Sequence, residues 1–135
     1  MNRIVTYLTF NGNCHEAMQF YQQCLGGKLM LQTVGESPRS EKLDASMKSF
    51  IVHASLKNDN MILMGTDLIG DNGHVRGNDV SIFLECSSQE EINQFFDKLS
   101  VSCKATFPIR KTYWGALFGG LTDKYGFQWL FHLKK

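Results

Sequence analysis

The sequence has no apolar run long enough to cross a membrane, no signal-peptide core, no block of basic residues and no Cys-x-x-C pair. Each absence removes a class of function. Without a stretch of about 20 apolar residues a membrane helix is excluded, and Met1 runs straight into a strand pattern, so a cytoplasmic protein is expected. The 14 basic and 13 acidic residues are spread along the chain for a net charge of +1, which gives no electrostatic footprint for nucleic acid. Lys134 and Lys135 read as a solvated tail. Cys14, Cys24, Cys86 and Cys103 lack metal-ligand spacing, so reduced thiols are expected, with no zinc and no disulfide. Ser55 and Ser81 have no nucleophile-elbow context, and no Cys/His spacing suggests an activated thiol.

What is present is the composition of an ordinary globular protein: 135 residues, 43% hydrophobic and 20% charged. A chain of this length buries enough surface to fold without a metal or disulfide staple. Ile4 to Phe10 predicts a strand, with Leu8 and Phe10 on one face and Val5, Tyr7 and Thr9 on the other. Asn13 is a candidate N-cap for a helix over Cys14 to Leu25, whose apolar stripe is Ala17, Met18, Tyr21, Cys24 and Leu25. Gly26-Gly27 stops that helix and therefore cannot cradle a phosphate at a helix start. Strands follow over Lys28 to Val34, Phe50 to Leu56 and Met61 to Gly65, the last two as a hairpin across Lys57-Asn58-Asp59-Asn60. Gly35 to Lys48, with Pro38, reads as a loop holding one helical turn near Leu43.

The plan then starts again. Val80 to Leu84 predicts a strand, Ser88-Gln89-Glu90-Glu91 is a capping box, and Ile92, Phe95, Phe96 and Leu99 form a helical stripe. Strands are expected at Val101 to Phe107, Tyr113 to Leu121 and Phe127 to Leu133. Asp123, between two of these, reads as a turn residue. At a shift of 75 residues Glu16 meets Glu91, Gln19 meets Gln94, Phe20 meets Phe95 and Tyr7 meets Ile82. The organisation is a module over 1–66, a linker over 67–78 and a second module over 79–135. The expected fold is α+β, with two tandem β-α-β-β-β modules forming one structural unit. Each sheet has one face covered by its own helix, and the other must be covered by the partner module or by a ligand.

That element order resembles the vicinal oxygen chelate superfamily of glyoxalase I, extradiol dioxygenases and bleomycin- or fosfomycin-resistance proteins. Within it the chain looks like the PhnB-like group. The resemblance is carried by Tyr7-Leu8-Thr9-Phe10-Asn11-Gly12-Asn13-Cys14, by Glu16-Ala17 with Phe20-Tyr21, and by Leu63-Met64-Gly65-Thr66-Asp67. Its most specific stretch runs from Lys111-Thr112-Tyr113-Trp114-Gly115 through Leu121-Thr122-Asp123-Lys124-Tyr125-Gly126 to Gln128-Trp129. The resemblance implies a cup-shaped mixed sheet with ligand or metal on its concave side, commonly in a homodimer. Members carry a demethylubiquinone methyltransferase-like label, whereas this sequence has no strand followed by a Gly-rich turn and helix to hold a nucleotide-like cofactor.

Metal-dependent members place His, Gln or Glu on the first and last strands of each half. Here those positions fall at Val5, Met64, Val80 and Leu130, none of which binds a divalent ion. No metal and no cofactor are therefore expected. His15 and His74 read as solvent-facing. His53 and His132 lie on strands, and with Glu85 they form the alternative ligand set of a lyase or dioxygenase. The leading expectation is an unidentified small organic molecule held by aromatic and adaptable side chains, with Tyr7, Thr9, Met64, Trp114, Phe118 and Trp129 as candidates. A third reading gives the aromatic surface to a dimer interface alone.

Overall fold

Short alternating strands and glycine stops fix the element order. In the computed structural model, which describes residues 3–36, 49–69 and 73–134, the first unit spans Met1–Val75 and the second Arg76–Lys135. The first unit contains β1 (Thr6–Thr9), α1 (Cys14–Leu25), β2 (Lys28–Thr33), a 3-10 turn (Val34–Glu36), β3 (Ile51–Asn58) and β4 (Met61–Thr66). The second contains β5 (Ile82–Glu85), α2 (Gln89–Leu99), β6 (Ala105–Lys111), β7 (Leu117–Thr122) and β8 (Gln128–Leu133). The helical turn expected near Leu43 lies outside the described residues.

Each unit forms a four-stranded mixed sheet of the same topology. The orders are β1-β4-β3-β2 and β5-β8-β7-β6. In both, the first and last strands in sequence pair in parallel while the other pairs are antiparallel. The α+β class and the repeated β-α-β-β-β plan follow directly.

Helix α1 buries Ala17, Met18, Phe20, Tyr21, Cys24 and Leu25 against the first sheet, each large side chain contributing about 1.5–3 kcal/mol. It ends at Gly26, whose N–H donates to Gln22 O. The next residue must be glycine for a second reason. Gly27 has φ +104°, and a Cβ there would stand 2.6 Å from Lys57 O on the neighbouring strand. In the second unit Ile92 and Leu99 are fully buried beneath α2, and Phe96 meets Phe131 of β8 edge-on.

Three local expectations need correction. Strand β6 begins at Ala105 and not Val101, because Ser102 takes a left-handed turn (φ 56°) and Cys103 N bonds back to Ser100 O. Strand β7 begins at Leu117 and not Tyr113. Thr112 closes a turn through Ala116 N to its Oγ1, with Gly115 at φ +90°. The capping box is also shifted by one residue: Ser88 Oγ accepts from Glu91 N, but the Glu91 carboxylate accepts from Ser87 N rather than from the cap itself.

The repeat is real, but its register differs between strands and helices. Phe10 N donates to Thr66 O, and Cys86 N to His132 O. These equivalent bonds set the strand shift at 86 − 10 = 76 residues. The helix caps Asn13 and Ser88 are 88 − 13 = 75 apart. The first half carries one more residue in the strand-to-helix turn. Tyr7 therefore corresponds to Phe83 and not to Ile82, Thr9 to Glu85, and Thr66 to His132.

Candidate functional site

Side chains alternate across a strand, so cross-strand partners share a face. In the first sheet Leu8 and Leu63 face α1, while Tyr7 pairs with Met64, Met64 with Ser55, and Ser55 with Met30. These four lie on the face turned away from the helix, together with Thr9 and His53. A bulge between Gln32 and Thr33 sets Thr33 opposite Ile51, turning Ile51 back to the helix side, where it is fully buried. On the outer face the Tyr7 and His53 rings stack across β4, with centroids 5.9 Å apart and 29° between planes. Tyr7 Oη lies 3.5 Å from His53 Nδ1. Ser55 Oγ is buried without a hydrogen-bond partner.

The second sheet places Phe83, Leu130, His132 and Phe118 on its corresponding face. His132 lies beside two phenyl rings, with centroids 5.6 Å from Phe83 and 6.5 Å from Phe118. Its Nδ1 is 3.9 Å from Glu85 Oε1. Each unit thus carries one imidazole beside an aromatic ring on its outer face. They stand on non-equivalent strands, His53 on β3 and His132 on β8.

Of the candidate residues, Tyr7, Thr9 and Met64 share the outer face of the first sheet, and Phe118 lies on that of the second. Trp129 does not. It pairs with Ile82 on the helix side, is fully buried, and donates its indole N–H to Asp123 Oδ2 at 2.7 Å. Trp114 lies in the turn before β7, 61% exposed, with its ring edge-on to Tyr113. Parity along β8 decides the Trp129 case: once Phe131 meets α2, Trp129 must follow it. Phe83 and Leu130 complete the outer face of the second sheet; a 75-residue shift pairs Tyr7 with Ile82 and so passes over Phe83.

The superfamily's divalent ion does not fit these residues. The 76-residue shift moves the position expected at Val80 to Ser81, and Val5, Met64 and Leu130 remain apolar. Among the described residues no three His, Cys, Asp or Glu side chains are grouped to hold a metal. A nucleotide-like methyl donor fits no better. The amides at the start of α1, Gly12 N and Cys14 N, both donate to Asp67 Oδ1 at 2.9 Å. A phosphate or carboxylate cradle at that turn is filled by the chain's own carboxylate.

Asp67 is also the real cap of α1. Asn13 occupies the N-cap position but makes no side-chain cap bond; a carboxylate arriving from the end of β4 accepts instead from the first helical amide, Cys14 N, and from Gly12 N just before the helix. Its other oxygen accepts from Ile51 N at 2.7 Å. No local spacing rule finds a cap 53 residues away.

Burial also silences one thiol in each unit. Cys14 is pushed up to about 12 by desolvation first and the Asp67 carboxylate second. Cys86 rises to about 11 through desolvation, then the Glu91 carboxylate, offset in part by a backbone hydrogen bond at His132. Cys24 is also buried, and Cys103 is half-buried. A thiolate-specific disulfide reagent at pH 8 should therefore react readily with Cys103 alone, and with all four cysteines in denaturant. Unfolded thiols ionise near 9.0 while these two hold their protons. Stability is therefore fully present below pH 9 and falls as pH rises towards 11 and 12. Urea midpoints at pH 8 and pH 10 measure the fall; equal midpoints would contradict it.

Comparison with known proteins places these features in a family. The family model described as 3-demethylubiquinone-9 3-methyltransferase matches residues 2–131. Protein YjdN of Escherichia coli (strain K12) is 30% identical over 96% of this chain and 93% of its own. The crystal structure of PA1353 from Pseudomonas aeruginosa superposes with a TM-score of 0.86 at 34% identity, covering 99% of this chain and 98% of that one. The PhnB protein of Bacillus cereus gives 0.73 at 23% identity, over 98% and 100%. A bleomycin-binding protein solved with bleomycin shares the fold at 13% identity and a TM-score of 0.59, over the whole of both chains.

Proposed function

Since the chain belongs to the PhnB-like 3-demethylubiquinone-9 3-methyltransferase family and has the glyoxalase/bleomycin-resistance fold, we propose that it binds small organic molecules on the aromatic outer face of each sheet, without a metal and as a homodimer. One observation carries this reading. Tyr7 and Phe83 stand at equivalent positions of the two sheets, turned away from the helices and 51% and 49% exposed. Large rings left half-exposed at matched positions form surfaces that gain by covering a flat or apolar ligand. Met64, Leu130 and Phe118 extend these surfaces with adaptable or aromatic walls. The bleomycin complex of a protein with this fold supports an organic occupant.

The test is a titration with planar aromatic fragments, followed by amide NMR, on protein purified without added metal. Shifts are expected around Tyr7, Met64, Phe83 and Phe118. Tyr7→Ala and Phe83→Ala together should weaken binding about tenfold or more, or roughly 1.4 kcal/mol. One tightly held ion per chain by elemental analysis, or shifts confined to Tyr113 and Trp114, would overturn the proposal. Light scattering checks the dimer, with a monomer mass as the contrary result. The competing reading, a metal-dependent lyase or dioxygenase of the superfamily, has the 3.9 Å His132–Glu85 approach within the second unit in its favour. It would require the tightly held ion.

A further inference from the structure

We infer that the outer face of the first sheet contains a polar subsite for an acceptor oxygen, a carbonyl or carboxylate, of the organic ligand; this rests on the binding role proposed above. Ser55 is the starting point. Its residue is 7% exposed and its Oγ has no hydrogen-bond partner. A buried hydroxyl left unpaired is destabilising, and native proteins almost always pair such groups with protein, water or ligand.

The surroundings say what kind of partner fits. Ser55 shares the outer face with Met64 on one side and Met30 on the other. Met30 is 60% exposed. Two flexible thioethers can swing aside and admit a ligand where a branched side chain could not. One alternation along the same strand, about 6.6 Å away, stands His53. Its Nδ1 lies 3.5 Å from the Tyr7 hydroxyl, and an imidazole carries at least one N–H donor in either tautomer. A serine hydroxyl and an imidazole N–H on an otherwise apolar, aromatic face suit an acceptor oxygen on a planar molecule. They select against a plain hydrocarbon of equal size, because a site with unpaired donors rejects an analogue that cannot pair them.

The probes are acetophenone and ethylbenzene, nearly equal in shape and differing in the carbonyl. Carbon-13 labelling of the six methionine methyls lets the Met30 and Met64 signals, assigned by Met→Leu variants, report occupancy of this face. Acetophenone should shift both signals and bind several-fold more tightly than ethylbenzene. Ser55→Ala should abolish that preference while leaving ethylbenzene binding intact, and His53→Phe should reduce it. The melting temperature of Ser55→Ala should equal or exceed that of the parent, since an unpaired hydroxyl has been removed. Equal affinities for the two probes, with Ser55→Ala changing neither, would overturn the subsite and leave organic binding standing. A lowered melting temperature in Ser55→Ala would overturn it as well, by assigning the hydroxyl a structural water. Failure of either probe to bind anywhere on the protein would overturn both this inference and the binding role beneath it.

Discussion

Asp67→Ala should lose about 3–5 kcal/mol of unfolding free energy, a large part of the whole for a domain of this size. The side chain is 4% exposed and accepts from Gly12 N, Cys14 N and Ile51 N. Removing it strands three backbone donors and takes the negative charge from the N-terminus of α1. Asp67→Asn should lie between the two proteins, since it keeps one acceptor but turns an NH2 group towards a backbone N–H. Urea unfolding measures the series. Where Asp67→Ala does not accumulate in folded form, Asp67→Asn still reports the ordering. A midpoint for Asp67→Asn equal to that of the parent would contradict the bracing role.

Asp123→Ala should have a comparable effect in the second unit, about 3–4 kcal/mol. The residue is fully buried in the β7–β8 turn. Its Oδ1 accepts from Tyr125 N and Phe127 N, and its Oδ2 from the Trp129 indole. The loss therefore has an optical signature that Asp67 variants lack. The near-ultraviolet circular dichroism of Trp129 should weaken, and its emission should move to longer wavelength as the indole N–H finds water. Asp123→Asn should retain the turn better than alanine. An unchanged tryptophan spectrum in Asp123→Ala would contradict the assignment.

Much of the fold was legible because it rests on local chemistry. The stripe Ala17-Met18-Tyr21-Cys24-Leu25 with the Gly26-Gly27 stop gave α1 its observed bounds. The Asp123 turn followed from the habit of Asp to bond the backbone ahead of it. The misreadings have non-local causes. Trp129 is on the helix side because Phe131 meets α2, a contact that strand alternation alone does not assign. The 75-residue overlay failed on the strands because helix caps set one register and sheet hydrogen bonds another. Asn13 is the N-cap residue by position, but the carboxylate that braces this turn, Asp67, arrives through tertiary structure. The outer faces were harder still. Tyr7, Met64 and Phe118 were identified as aromatic or adaptable residues, yet the Ser55 hydroxyl is ordinary in sequence and exceptional only once its surroundings are known.

The parallel pairing of first with last strand has a consequence for a chain emerging from the ribosome. Strand β1 is made before the other strands of its sheet, but among the described residues β4 is its sole hydrogen-bonded neighbour there. Until Leu63 to Thr66 have been synthesised, Thr6 to Thr9 lack their pairing strand, and Gly12 N and Cys14 N wait for Asp67, the next residue to appear. The β3–β4 hairpin can form locally, while the first strand and the helix cap are completed in the same step, by four or five consecutive residues. A nascent chain stalled before Met61 would expose the Leu8, Phe10 and Met18 surface to chaperones. One released a few residues later would hide it.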